Sequence, residues 1–166
     1  MKKIDFYKLS ENNLEALCSK IGDAITGCKV DSFNAGLSGE LGSGKTTWMR
    51  YFLRAIGYEG VVVSPTYTLL EEYNIDSINL IHVDLYRLDD RYNVQEFESL
   101  GLRERISSPY NWIFVEWPER VKEIENSLDL LFLFTFISQE YRDLCIMSKS
   151  NKGSDVLRAI NEVASN

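Results

Sequence analysis

Gly39-Glu40-Leu41-Gly42-Ser43-Gly44-Lys45-Thr46-Thr47 is the stretch that decides the reading of this chain. It matches G-x-x-x-x-G-K-[ST], a pattern in which each fixed position answers a need of a bound polyphosphate. Gly39 and Gly44 allow backbone angles and close approach that a Cβ forbids. Successive backbone N–H groups curl around a phosphate as an anion nest. Lys45 adds a mobile cation for the terminal phosphates, and the Thr46 hydroxyl is placed to ligate Mg²⁺. A helix starting near Gly44 turns its positive end toward the same phosphates.

A glycine-rich turn that binds nothing produces the same letters, so the flanks matter. Phe33 to Ser38 is a short semi-apolar run that predicts a strand. Residues 45–56 place Trp48, Met49, Phe52, Leu53 and Ile56 at helical spacing, and Gly57 is a helix stop. Strand, loop and helix in that order are what phosphate binding requires.

Length and composition set the bounds. At 166 residues with 45% hydrophobic content, one domain with a real core is expected. The net charge of −7 comes without a basic stripe, which argues against tight autonomous binding of nucleic acid. RNA metabolism through a basic partner is still compatible. Cys18, Cys28 and Cys145 have no metal-ligand spacing and fit reduced thiols in a cytosolic protein. The N-terminus lacks an apolar signal core, and the apolar stretch Leu128 to Ile137 is too short to span a bilayer.

Along the chain, residues 3–9 read as a strand, and Ser10 caps a helix with Leu14, Leu17, Ile21 and Ile25 on one face. Strands are expected from Thr68 to Tyr73, from Ile78 to Val83 and from Trp112 to Val115. Residues 85–108 predict short helices, one around Val94 to Leu100. Pro118 opens a helix running to about Asn126. Leu128 to Ile137 and Leu144 to Met147 form a hairpin, and Ser154 to Val163 a final helix. This alternation predicts an α/β sandwich around a central mixed parallel and antiparallel sheet.

Two acids stand at strand ends, where open α/β sheets bind ligands: Asp84 and Glu116. Mg²⁺ keeps several waters, so one direct carboxylate suffices. Either acid is placed to approach a metal beside Thr46, and a helix-capping role for Glu116 is equally compatible with its place before Pro118. Ser64-Pro65-Thr66 is a stiffened loop whose Thr66 hydroxyl can sense a terminal phosphate, or an ordinary turn. His82, the single histidine, falls on the same strand face as Asp84 and reads as a structural residue beneath the site. Trp112 and Trp117 read as core or site-wall aromatics. Arg87, Arg91, Arg103, Arg105 and Arg120 interleave with acids as a self-compensating surface.

These segments together resemble the TsaE (YjeE) family, the small ATPases of bacterial tRNA threonylcarbamoyladenosine biosynthesis. The match is carried by Leu37 to Thr47, Ser64-Pro65-Thr66-Tyr67-Thr68-Leu69, His82-Val83-Asp84-Leu85-Tyr86-Arg87-Leu88, Glu98 to Leu102, and Val115-Glu116-Trp117-Pro118-Glu119-Arg120. The phosphate loop is generic, whereas the other segments in that order are specific. The resemblance implies a single P-loop ATPase domain over residues 1–166, a P-loop NTPase-like sandwich with helices flanking a mixed sheet. It implies ATP held by Gly39, Glu40, Leu41, Gly42, Ser43, Gly44, Lys45, Thr46 and Thr47. Thr46 and Glu116 would ligate Mg²⁺. Asp84 would be the essential acid near the γ-phosphate, with Lys45 and Thr66 assisting catalysis. Asn13 (or Ser10) and Arg142 are the nearest counterparts of the family's adenine contacts. The implied partners are TsaB and TsaD, with tRNA reached only through that complex, in the cytoplasm and away from membranes. The implied activity is slow ATP hydrolysis, stimulated by the partners and resetting the complex between turnovers.

Three other functions share the phosphate loop. A small-molecule kinase would turn over alone with its acceptor. A GTP switch needs N-K-x-D, but Asn151-Lys152-Gly153-Ser154 places serine at the aspartate position. A non-hydrolysing module would make Asp84 and Glu116 dispensable.

Overall fold

The computed structural model describes residues 2–88 and 98–165. Seven strands form one sheet in the order β1-β7-β6-β2-β5-β4-β3. They are β1 (Lys3–Leu9), β2 (Phe33–Gly39), β3 (Leu70–Ile75), β4 (Ile78–Asp84), β5 (Asn111–Glu116), β6 (Leu130–Phe136) and β7 (Arg142–Ser148). β6, β2, β5 and β4 run parallel. β3 pairs with β4, and β7 with both β6 and β1, in antiparallel fashion. The mixed sheet expected from the sequence is therefore present. Its parallel centre ends every strand on one edge, and that edge carries Gly39, Asp84 and Glu116.

Five α-helices lie wholly within the described residues and cover the faces: α1 (Glu11–Gly27), α2 (Lys45–Ala55), α3 (Leu102–Ser107), α4 (Lys122–Ser127) and α5 (Asn151–Ala164). α1 is capped by Ser10, whose Oγ accepts the Asn13 N–H. Strand alternation sorts the core into two layers. Trp112 and Phe114 of β5 join Phe33, Ala35 and Leu37 of β2 under α1, α2 and α5. Ile113 and Val115 face the other way, with Ile81, Val83, Leu102 and Ile124. In the first layer Trp48 of α2 stacks on Phe52 at 5.0 Å and meets Phe132 at 4.6 Å. Both rings are fully buried, so α2 is fastened to the sheet by its second turn.

Some boundaries shift for local reasons. β3 begins at Leu70 because Thr68 and Leu69 complete a turn in which Leu69 N–H donates to Pro65 O, with Leu69 at φ 64°. The helix expected from Pro118 to about Asn126 divides into a 3-10 turn (Pro118–Arg120) and α4, because Val121 is extended at φ −131°. The last helix starts at Asn151, three residues early, because the Ser150 hydroxyl accepts the Gly153 N–H as its cap. The helix expected around Val94 to Leu100 lies mostly outside the described residues, as does Arg91; Glu98 and Ser99 are helical.

Candidate functional site

The loop between β2 and α2 occupies the carboxyl edge of the sheet. Gly39 has φ 147°, and a Cβ there would run into Phe134 O of the neighbouring strand. Gly42 and Gly44 have φ 79° and 104°, a region that disfavours side chains. Gly44 precedes α2, and no side chain caps that helix, so its first turn is open to an anion. Arg142 closes one side. It pairs with Leu9 and Phe136 in the ladders, and its Nη1 lies 2.8 Å from where a Gly44 Cβ would stand.

Lys45 is the cation at the centre. It is 4% exposed, and its Nζ donates to Gly39 O at 2.7 Å and Glu40 O at 3.0 Å. The same nitrogen sits 4.1 Å from the centre of the Trp117 ring, a cation–π distance. Burial pulls the Lys45 ammonium below its usual value, and Glu116, Asp84 and Glu119 oppose that shift without cancelling it. Trp117 holds its place with φ 61° and an N–H donated to Leu37 O at 3.0 Å. Its ring also packs 5.2 Å from Tyr86.

Asp84 and Glu116 are paired residues of neighbouring parallel strands, and both are 3% exposed. Each accepts a threonine hydroxyl. Thr46 Oγ1 donates to Glu116 Oε1 at 2.8 Å, and Thr66 Oγ1 donates to Asp84 Oδ2 at 2.6 Å. Asp84 Oδ1 accepts the Tyr86 N–H at 2.8 Å. Ser64 Oγ lies 2.9 Å from Thr66 Oγ1, so the Ser64-Pro65-Thr66 loop is linked to the acid.

One cleft is lined by Leu41, Gly42, Gly44, Lys45, Thr46, Thr47, Thr66, Asp84, Tyr86, Glu116 and Trp117. Gly39 and Glu40 border it through the carbonyls that hold Lys45. Ser43 is buried, and its hydroxyl finds no partner among the described residues. Asn13 is exposed on the first turn of α1 and does not line the cleft. The sequence places Trp117 in the core or in the site wall. The structure makes it the wall against which Lys45 rests, and only the adjacent motif hinted at this. His82 is fully buried with Nε2 3.0 Å from Glu116 Oε1, so it touches the site instead of lying beneath it. Strand alternation does not encode this contact, because the ring spans the step between diagonal neighbours of adjacent strands.

Chemically, the cleft combines a glycine loop before an uncapped helix start, a buried cation, two carboxylates and the hydroxyls of Thr46, Thr47, Thr66 and Tyr86. Among the described residues no group of three or more His, Cys, Asp or Glu side chains forms a metal cluster.

Comparison with known proteins follows the same lines. The family described as "Threonylcarbamoyl adenosine biosynthesis protein TsaE" matches residues 4–144. A protein of that name from Haemophilus influenzae is 37% identical over 125 residues, covering 75% of this chain and 76% of its own. The Aquifex aeolicus protein of the same name is 34% identical over 126 residues, 75% of this chain and 84% of its own. The Bacillus subtilis one is 36% identical over 110 residues, 66% of this chain and 60% of its own. Among solved structures, Bacillus subtilis YdiB superposes with a TM-score of 0.75 at 22% identity, over 99% of this chain and 97% of that one. That likeness establishes the P-loop NTPase-like fold. With its loop, its paired acids and a family match over most of its length, the chain belongs to the TsaE family.

Proposed function

We propose that this chain is a Mg²⁺-dependent ATP-binding and ATP-hydrolysing accessory protein in the formation of threonylcarbamoyladenosine at position 37 of ANN-decoding tRNAs. Its task is to switch a complex of TsaB and TsaD homologues, and its own hydrolysis is slow. The relatives' printed name supports the pathway. The observation that carries the ATPase reading is the meeting of Lys45, Thr46, Thr66, Asp84 and Glu116 in one cleft beside the glycine loop.

The residues fit a magnesium nucleotide. Gly39, Gly42 and Gly44 turn the loop backbone through positive φ, and a Cβ at Gly39 or Gly44 would meet Phe134 O or the Arg142 guanidinium. Thr46 through Oγ1 and Glu116 through a carboxylate oxygen would hold the metal, the hard oxygen set that Mg²⁺ takes. When bound, Mg²⁺ would neutralise charge on the terminal phosphates. Lys45 leaves the Gly39 and Glu40 carbonyls for phosphate oxygens, a stronger charge-assisted bond. Asp84 orients the attacking water or the metal's water shell, and Thr66 links its position to the Ser64-Pro65-Thr66 loop. Trp117 and Tyr86 wall the reacting end against solvent. Arg142, and less directly Asn13 on α1, are the candidates for contacts to the nucleoside. The acidic chain leaves RNA contact to its partners. A cytoplasmic location suits its free thiols. No described helix is long and apolar enough to cross a membrane.

The deciding experiment is ATP hydrolysis by the pure chain, alone and with TsaB and TsaD homologues. The proposal expects slow hydrolysis alone and acceleration by the pair. Unchanged hydrolysis with partners, but transfer of phosphate to a small acceptor, would replace it with a kinase.

A further inference from the structure

The buried ring of His82 makes one contact that the proposed mechanism does not use. Its Nε2 lies 3.0 Å from Glu116 Oε1, while Nδ1 is buried and has no partner among the described residues. This pattern decides where the ring hydrogen is. A hydrogen on Nδ1 would bury an unpaired N–H and turn the Nε2 lone pair against a carboxylate oxygen. The ring therefore carries its hydrogen on Nε2 and donates it to Glu116.

We propose that His82 is a positioning residue that fixes the Glu116 carboxylate for the metal, an inference resting on the Mg²⁺-nucleotide reading above. Oε1 accepts from both His82 and Thr46, at 3.0 and 2.8 Å. No described residue donates to Oε2. Two donors on one oxygen set the carboxylate's rotation and leave the second oxygen for coordination. The Thr46 hydroxyl sends its hydrogen to the same Oε1, which leaves its own lone pairs for the ion. Burial makes the arrangement rigid: His82 is fully buried, and its neighbours across the sheet, Glu71 and Phe114, are ladder partners that hold the strand in register. Partners of metal ligands of this kind typically matter about 10–100-fold in metal affinity or activity.

The test uses two variants and one spectrum. H82L removes the donor, and H82Q keeps an N–H near the Nε2 position. With ADP bound, Mn²⁺ affinity read by electron paramagnetic resonance should fall about 10-fold or more in H82L and recover in H82Q. ADP affinity in EDTA should match the wild type in both. Equal Mn²⁺ affinity in H82L and wild type would overturn the proposal. So would equal loss in both variants, or a parallel loss of metal-free ADP binding. The chain has a single histidine, so imidazole ¹⁵N spectra of the wild type report on His82 alone, whether or not a variant folds. They should show the Nε2–H tautomer and move when Mg²⁺ is added to the ADP complex. An Nδ1–H tautomer, or no response to Mg²⁺, would overturn it. Absence of any ADP binding by the wild type would overturn the nucleotide reading itself; normal Mg²⁺-dependent binding with an indifferent His82 would overturn only the positioning role.

Discussion

Thr66 Oγ1 donates to Asp84 Oδ2 at 2.6 Å, which ties the Ser64-Pro65-Thr66 loop to the end of β4 across 18 residues. The other oxygen of Asp84 is held by the Tyr86 N–H. Whatever pulls Thr66 toward a terminal phosphate must therefore loosen its hold on Asp84. Loop and acid are coupled by one hydrogen bond.

T66V keeps the shape of the side chain and removes the donor. ATP affinity should stay within about 3-fold of wild type while turnover falls about 10-fold, the cost of one lost hydrogen bond to a charged group. D84N should keep affinity and lose most turnover, on the order of 100-fold. Calorimetry and steady-state hydrolysis separate the two effects. Wild-type turnover by D84N would remove Asp84 from the mechanism.

Lys45 gives a prediction in both binding and pH. K45A should weaken ATP binding about 100-fold or abolish it, as expected for a charged hydrogen bond; unchanged affinity would refute the role. Burial lowers the Lys45 ammonium below 10.5. The unfolded chain thus binds more protons between that lowered value and 10.5. This group's contribution to stability is fully present above 10.5 and is lost as pH falls through the lowered value. The stability of wild type relative to K45M should therefore rise with pH in that window. A flat difference in denaturant titrations would show that the ammonium is not desolvated.

E116A should weaken Mg²⁺-dependent hydrolysis more than nucleotide binding in EDTA. A second-row defect and a ligand defect differ in depth, so E116A should lose at least the ~10-fold in Mn²⁺ affinity expected of H82L. Equal loss with and without metal would count against a metal role for Glu116.

Gly153 is a structural position with no link to the cleft. A Cβ there would fall on Asp129 O, the carbonyl that accepts the Lys149 N–H at 2.8 Å. Asp129 also receives Ser150 Oγ at 2.6 Å and the Asn34 N–H at 3.0 Å, so α5 cannot shift alone. G153A should cost about 3 kcal/mol or more. G27A, at a helix end with nothing within 4 Å, should change stability by about 1 kcal/mol or less. Thermal melting of the two variants makes the comparison.

Tyr51 ties α2 to α1. Its Oη donates to Glu11 Oε1 at 2.7 Å, and that bond, with burial second, pushes the phenol up to about 12. A raised value means stability that is fully present below 10 and is lost as pH rises through about 12. Y51F should cost about 1 kcal/mol near neutral pH, with the difference vanishing across that interval. A pH-independent difference would mean that packing, not the hydrogen bond, accounts for the loss.

How much was legible in advance differs between levels. The loop Gly39 to Thr47 announced its strand and helix because its glycines and Lys45 are required locally, and α2's apolar face at Trp48, Met49, Phe52 and Leu53 has a helical period. Trp112 to Val115 of β5 announced a strand as a compact apolar run, but its two faces are both apolar and only the structure sorted them into layers. The loop, the helical period and the apolar run depend on neighbours in the chain. Asp84 and Glu116 were visible as acids at strand ends, but their roles stayed undivided until family resemblance was added.

Sequence by itself determined the nucleotide-loop pattern, the mixed α/β alternation and the candidate acids, since each is written in spacing over a few residues. Only the tertiary structure decided that β4 and β5 are parallel neighbours in a register that sets Asp84 beside Glu116. It alone brought Thr66 onto Asp84, Lys45 over Trp117 and His82 onto Glu116. Those contacts join residues 18 to 72 positions apart through sheet pairing and burial, and no local period encodes them.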